Sequence, residues 1–136
     1  MKRNLLIVLT ALALVATVQA QATSQGWVGI WHADVGGLPT STLTLANDTG
    51  ALGGTVVLDM VSDEGGTPHV TESEAHLLVN PAVAGDTLTF QVKMRRRDRE
   101  GWTASFEVKR TSPDKATIHC VNCGAGAPVL QLVKDH

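Results

Sequence analysis

The sequence predicts an all-β fold, an eight-stranded antiparallel up-and-down barrel, and two observations carry that prediction. From Trp27 onward the apolar residues recur mainly with period two, the pattern of strands that bury one face. Clusters of turn-forming residues separate these runs at intervals of roughly eight to twelve residues, the spacing of a sandwich or an up-and-down barrel.

The chain of 136 residues opens with Met1-Lys2-Arg3 and an apolar run from Leu5 to Val18. The run has the length of a signal-peptide h-region and is shorter than the roughly 20 residues that span a bilayer. Small residues follow at the −3 and −1 places, as Val18 and Ala20 or, shifted by two, Ala20 and Ala22. Residues 1–20 therefore read as a signal peptide cleaved after Ala20 or Ala22, and 23–136 as a single β-barrel domain. No cysteine stands at the junction to carry a lipid, so the expectation is a released protein, periplasmic or secreted. Loss of Lys2 and Arg3 takes the formal charge from −2 to −4, which gives no general attraction for nucleic acid or anionic lipid.

The expected strands are 26–34, 40–47, 52–61, 69–79, 87–95, 102–110, 115–120 and 128–134. Leu43 and Leu45 alternate with threonines, and Leu52, Val56, Leu58 and Met60 follow. The cleanest alternation is Leu88, Phe90, Val92, Met94 against Thr87, Thr89, Gln91, Lys93. Trp102, Ala104, Phe106 and Val108 repeat it, and Leu130 and Leu132 close the series. Asn47-Asp48-Thr49-Gly50, Ser62 to Pro68, Asn80-Pro81, Gly85-Asp86, Arg99-Glu100-Gly101 and Ser112-Pro113-Asp114 supply the turns. Thr71-Glu72-Ser73-Glu74 has the spacing of a helix capping box. A helix there would end early at Asn80-Pro81, while Ala75, Leu77 and Val79 alternate, so Thr71–Val79 is read as strand. The inward positions expected are Leu43, Leu45, Val56, Leu58, Met60, Leu77, Phe90, Val92, Trp102, Phe106 and Leu130.

The first strand carries Gly29-Ile30-Trp31, and a second tryptophan, Trp27, precedes it. A Gly-x-Trp in the first strand, followed by a meander of short strands, resembles the calycin barrels: lipocalins, fatty-acid-binding proteins and avidins. Small lipocalin-like domains of exported bacterial proteins are the closest resemblance. It implies that Trp31 plugs one end of the barrel under a basic side chain from the last strand. Lys134 is the candidate, with Arg110 as rival, because an aromatic face attracts a cation whose stem packs on the ring. Trp27 is expected at a rim or end cap. The chain contains no tyrosine, so the hydrogen-bonding set of a biotin site has no counterpart.

Other constellations have structural and functional readings side by side. Glu72, Glu74 and His76, with His69 nearby, have ligand spacing for a metal but read first as a solvated strand face opposite Ala75, Leu77 and Val79. His32 and Asp34 alternate with Trp31 and Ala33 and are expected to face outward. The two cysteines, Cys120 and Cys123, are expected to form a local disulfide, with free thiols as the alternative. Arg95-Arg96-Arg97-Asp98-Arg99-Glu100 falls at a hairpin tip, either a solvated turn or a basic lip to the barrel mouth. Asn47-Asp48-Thr49 matches a glycosylation acceptor. No nucleophile elbow, zinc-binding helix motif or phosphate-cradling loop is present, and no cofactor or metal is called for.

The function expected is non-enzymatic: an exported binding module for a small apolar or amphipathic ligand. Trp102, Phe90, Phe106, Leu58 and Met60 would contact the ligand, with Arg95 and Arg97 at the lip; Gly29, Trp31 and Lys134 would be structural. The alternative is a packed barrel that binds another protein, as small calycin-like inhibitors do. A third reading is a barrel-type enzyme using His32 and Asp34, or Glu72, Glu74 and His76. The partners expected are thus a lipophilic molecule or a protein, with no nucleic acid and no membrane span.

Overall fold

The computed structural model describes residues 24–48, 50–96 and 99–136, and in it the chain forms one antiparallel sheet of nine strands. In chain order they are β1 (Gly29–Val35), β2 (Leu38–Asp48), β3 (Ala51–Ser62), β4 (His69–Leu77), β5 (Val79–Ala84), β6 (Thr87–Arg96), β7 (Arg99–Ser112), β8 (Lys115–Cys120) and β9 (Val129–Lys134). The order across the sheet is β4-β3-β2-β1-β9-β8-β7-β6-β5, so every ladder joins strands adjacent in sequence except that of β1 with β9, and β4 and β5 form the two edges. The signal-peptide segment, Thr49 and Arg97 lie outside the described residues. Among those described, no helix is long and apolar enough to cross a membrane.

The expectation of eight strands is corrected to nine, and of a closed barrel to an open hydrogen-bonded sheet. The expected strand 69–79 ends at Leu77, and after Leu78 the chain resumes as β5, through the Asn80-Pro81 pair expected to be a turn. Asn80 adopts φ 50°, and the β5–β6 register shifts between Val79 and Ala82, so the pair forms an irregularity within a strand. Proline lacks the N–H for a ladder and is tolerated here because β5 is an edge strand. The two edge strands β4 and β5 are separated by Leu78 alone, so the backbone itself joins the edges of a barrel-like, curled sheet. The Leu78 N–H donates to the Gly54 carbonyl at 3.1 Å, tying this corner to β3.

One face of every strand except β4 contributes to a common core. Leu43, Val56, Leu88, Phe90, Val92, Val108 and Leu132 are all buried in it, and Phe90 stacks on Phe106 with ring centroids 5.3 Å apart. The alternation legible in β6 and β7 places these residues in register: Leu88 opposite Val108, Phe90 opposite Phe106, Val92 opposite Ala104.

On β4 the expected faces are reversed. His76 stands opposite Val56 and Glu74 opposite Leu58, and residues directly opposite share a face of the sheet. Val56 is buried, so His76 is buried with it, whereas Leu77 is 74% exposed and Ala75 is also exposed. With period two, a strand paired one residue out of the expected register turns every side chain over. The inner face of β4 is therefore polar.

Candidate functional site

One end of the sheet is sealed by the two tryptophans. Trp27 and Trp31 are both fully buried, with ring centroids 5.7 Å apart and planes tilted by 43°. The indole N–H of Trp31 donates to the Trp27 carbonyl at 2.9 Å. Each ring carries a cation: Lys134 Nζ lies 5.5 Å from the Trp31 centroid and the Arg110 guanidinium 5.3 Å from that of Trp27. The two rival cations of the sequence thus take one tryptophan each. Lys134 Nζ also donates to the Gly26 carbonyl at 3.3 Å, and Arg110 pairs with Asp86 at 3.2 Å. The glycine of Gly-x-Trp has a steric reason. At φ 137° a Cβ on Gly29 would meet Lys134 Cε at 2.7 Å, so the bare backbone lets the lysine stem cross to the ring. At the same end Ser112 Oγ donates to Asp114 at 3.0 Å, which holds that carboxyl below its ordinary pKa.

The opposite end holds a cavity of about 500 Å³. Leu58, Met60, Met94, Ala104, Phe106 and Leu130 supply much of its apolar wall; Ser41 from β2 and Ile118 from β8 complete the interior. Its mouth is framed by the Cys120–Cys123 disulfide and the turn through Gly126, Ala127 and Pro128. Asn122, inside the disulfide loop, fixes this rim to β7. Its side-chain amide donates to the Thr103 carbonyl at 2.9 Å, and its oxygen accepts the Ser105 N–H at 2.8 Å. No charged side chain is among the described residues lining the cavity.

Four buried side-chain atoms lack hydrogen bonds among the described residues: Trp27 Nε1, Ser41 Oγ, Asn47 Oδ1 and His76 Nε2. Ser41 is 2% exposed and its Oγ has no partner among the described residues. His76 Nε2 is likewise buried and without a hydrogen bond, lying 3.6 Å from Glu74 Oε2. A second hollow, of about 510 Å³, lies outside the cavity between β4 and the end of β6 that extends past its β5 partner, lined by Glu74, His76, Leu77, Lys93 and Arg95 among others.

Of the residues singled out from the sequence, Leu58, Met60 and Phe106 line the cavity, Met60 at its mouth and 62% exposed rather than interior. Phe90 is buried in the core and does not line it. Trp102 is half-buried opposite Met94 on the mouth side, outside the lining set. Arg95 belongs to the edge hollow, and Arg97 lies outside the described residues. His32 pairs with Asp135 at 2.7 Å instead of with the exposed Asp34. His69 Nδ1 bonds the Thr67 carbonyl at 3.0 Å, away from His76. Among the described residues no three His, Cys, Asp or Glu side chains gather as metal ligands. Sequence reasoning missed Ser41, which sits in the uniformly polar stretch Thr40-Ser41-Thr42; continuing the Leu43–Leu45 alternation back by two positions would have marked it as inward.

No family model matches the chain, and no curated protein or solved structure matches it either.

Proposed function

We propose that the chain is a calycin-like barrel acting as an exported, non-enzymatic binding module, with a small apolar or amphipathic molecule held in the cavity beside the disulfide. The observation that carries this reading is the cavity itself: about 500 Å³, mostly apolar, in a domain whose other end is filled by two tryptophans. Ligand sites are clefts of roughly 300–1,000 Å³ with apolar walls and few polar groups. The Gly29-x-Trp31 strand, the Lys134 contact and the adjacency of β1 and β9 support the calycin reading. A filled interior would instead favour a protein-binding barrel, and the cavity argues against it. Glu74 and His76 lie together, but at 3.6 Å and with no nucleophile beside them they give enzymatic chemistry little support.

The test is tryptophan emission titrated with N-phenyl-1-naphthylamine, a neutral lipophilic acceptor of indole fluorescence. A saturable energy-transfer signal is expected, reduced in Trp102→Phe, because Trp102 stands opposite the cavity-lining Met94. No saturable signal from this probe or from other lipophiles would remove the small-ligand reading and leave the protein-partner reading in front.

A further inference from the structure

A hydroxyl buried without a hydrogen bond is costly, and an alanine of nearly the same size would avoid the cost. Ser41 carries such a hydroxyl on the wall of the cavity, 2% exposed and unpartnered among the described residues. Its neighbour Thr40 spends its own hydroxyl on the Ala33 carbonyl at 3.1 Å, and of the buried unpartnered polar atoms Ser41 Oγ is the one whose residue lines this cavity among the described residues.

We infer that the cavity selects an uncharged lipophile with a single hydrogen-bonding oxygen, an alcohol or carbonyl, seated against Ser41 Oγ; this rests on the ligand-binding function proposed above. A serine hydroxyl both donates and accepts, so it serves either oxygen type. The charge follows from the walls. No described lining residue is charged, so an anion buried among Leu58, Phe106, Ile118 and Leu130 would have no counter-ion among the described lining residues. Of the basic side chains described on β6, Lys93 and Arg95 line the separate hollow beside β4 and are exposed. The sequence instead suggests an anionic head at a basic lip of Arg95 and Arg97, and Arg97 lies outside the described residues.

The experiment displaces bound N-phenyl-1-naphthylamine with octan-1-ol, 1-chlorooctane and octanoate at about pH 8, where the carboxylate is ionised. In the wild type octanol should displace the probe at lower concentration than octanoate. In Ser41→Ala the ratio of the octanol to the chlorooctane half-displacement concentration should rise about fivefold, the loss of one neutral hydrogen bond. Ser41→Thr, which keeps the hydroxyl, should hold the wild-type ratio. Probe binding retained in Ser41→Ala with an unchanged ratio would overturn the role of Ser41 and leave the ligand-binding function standing. Octanoate displacing best would overturn the uncharged class. Failure of the probe to bind the wild type would overturn both. The wild-type order of octanol and octanoate is read without any variant, so it holds as a test if Ser41→Ala does not fold.

Discussion

Trp31→Ala is expected to cost about 3–5 kcal/mol of folding stability, as aromatic deletions in cores do. The indole is fully buried, and its removal opens a cavity beneath Lys134 and strips Trp27 of its ring neighbour. It also removes the donor to the Trp27 carbonyl. Lys134→Ala should cost less, about 1–2 kcal/mol, through lost packing and the cation–ring contact. The two changes should be non-additive because the side chains touch, and urea unfolding of both single variants and the double variant measures this. A loss below 1 kcal/mol for Trp31→Ala would show that the tryptophan pair does not hold the end of the sheet together.

The second large effect is expected at Gly54 in β3. A Cβ there would stand 1.9 Å from the Thr44 carbonyl oxygen and 3.0 Å from its carbon, both backbone atoms in the β2–β3 ladder. Backbone yields less readily than the end of a flexible side chain, so the ladder itself would have to open. Gly54→Ala should destabilise by about 1–3 kcal/mol or more, at the upper end of overpacking effects. The Gly54 carbonyl also accepts the Leu78 N–H, so the corner between β4 and β5 would loosen with it. Gly53→Ala is the control: no atom lies within 4 Å of its added Cβ. Equal thermal midpoints for the two variants would refute the steric account.

The sequence was legible where the two faces of a strand differ sharply. Thr87 to Met94 alternates polar and apolar without interruption, and β6 falls at Thr87–Arg96 with its apolar set inward. β8 falls at Lys115–Cys120, the span expected. Legibility failed where contrast was missing. In Thr71 to Leu77 the polar residues occupy both faces, so the few apolar ones gave the wrong side, and pairing with Val56 and Leu58 decided the register instead. Asn80-Pro81 carried strong turn chemistry, yet at a sheet edge that chemistry makes a kink within a strand. The site was legible in its large apolar members, Leu58, Met60 and Phe106. Ser41 was not, because its importance lies in a bond it does not make, which no residue pattern encodes.

The placement of β1 beside β9 bears on the order of events in folding. Every other ladder joins strands adjacent in sequence, so β1 to β4 and β5 to β9 are two meanders that each form from local hairpins. Their union at β1 and β9 has two register pairs, Trp31 with Lys134 and His32 with Val133, plus the bond from Lys134 to Gly26 across 108 residues. Bringing such distant segments together carries the largest loop-closure entropy in the molecule, and non-local contacts are the slow ones to form. The meanders are therefore expected to assemble first and the chain ends to zip together last, burying Trp27 and Trp31 in the final step. Stopped-flow refolding followed by indole emission should lag behind the far-ultraviolet signal of the strands; coincident traces would show that the ends meet as early as the hairpins.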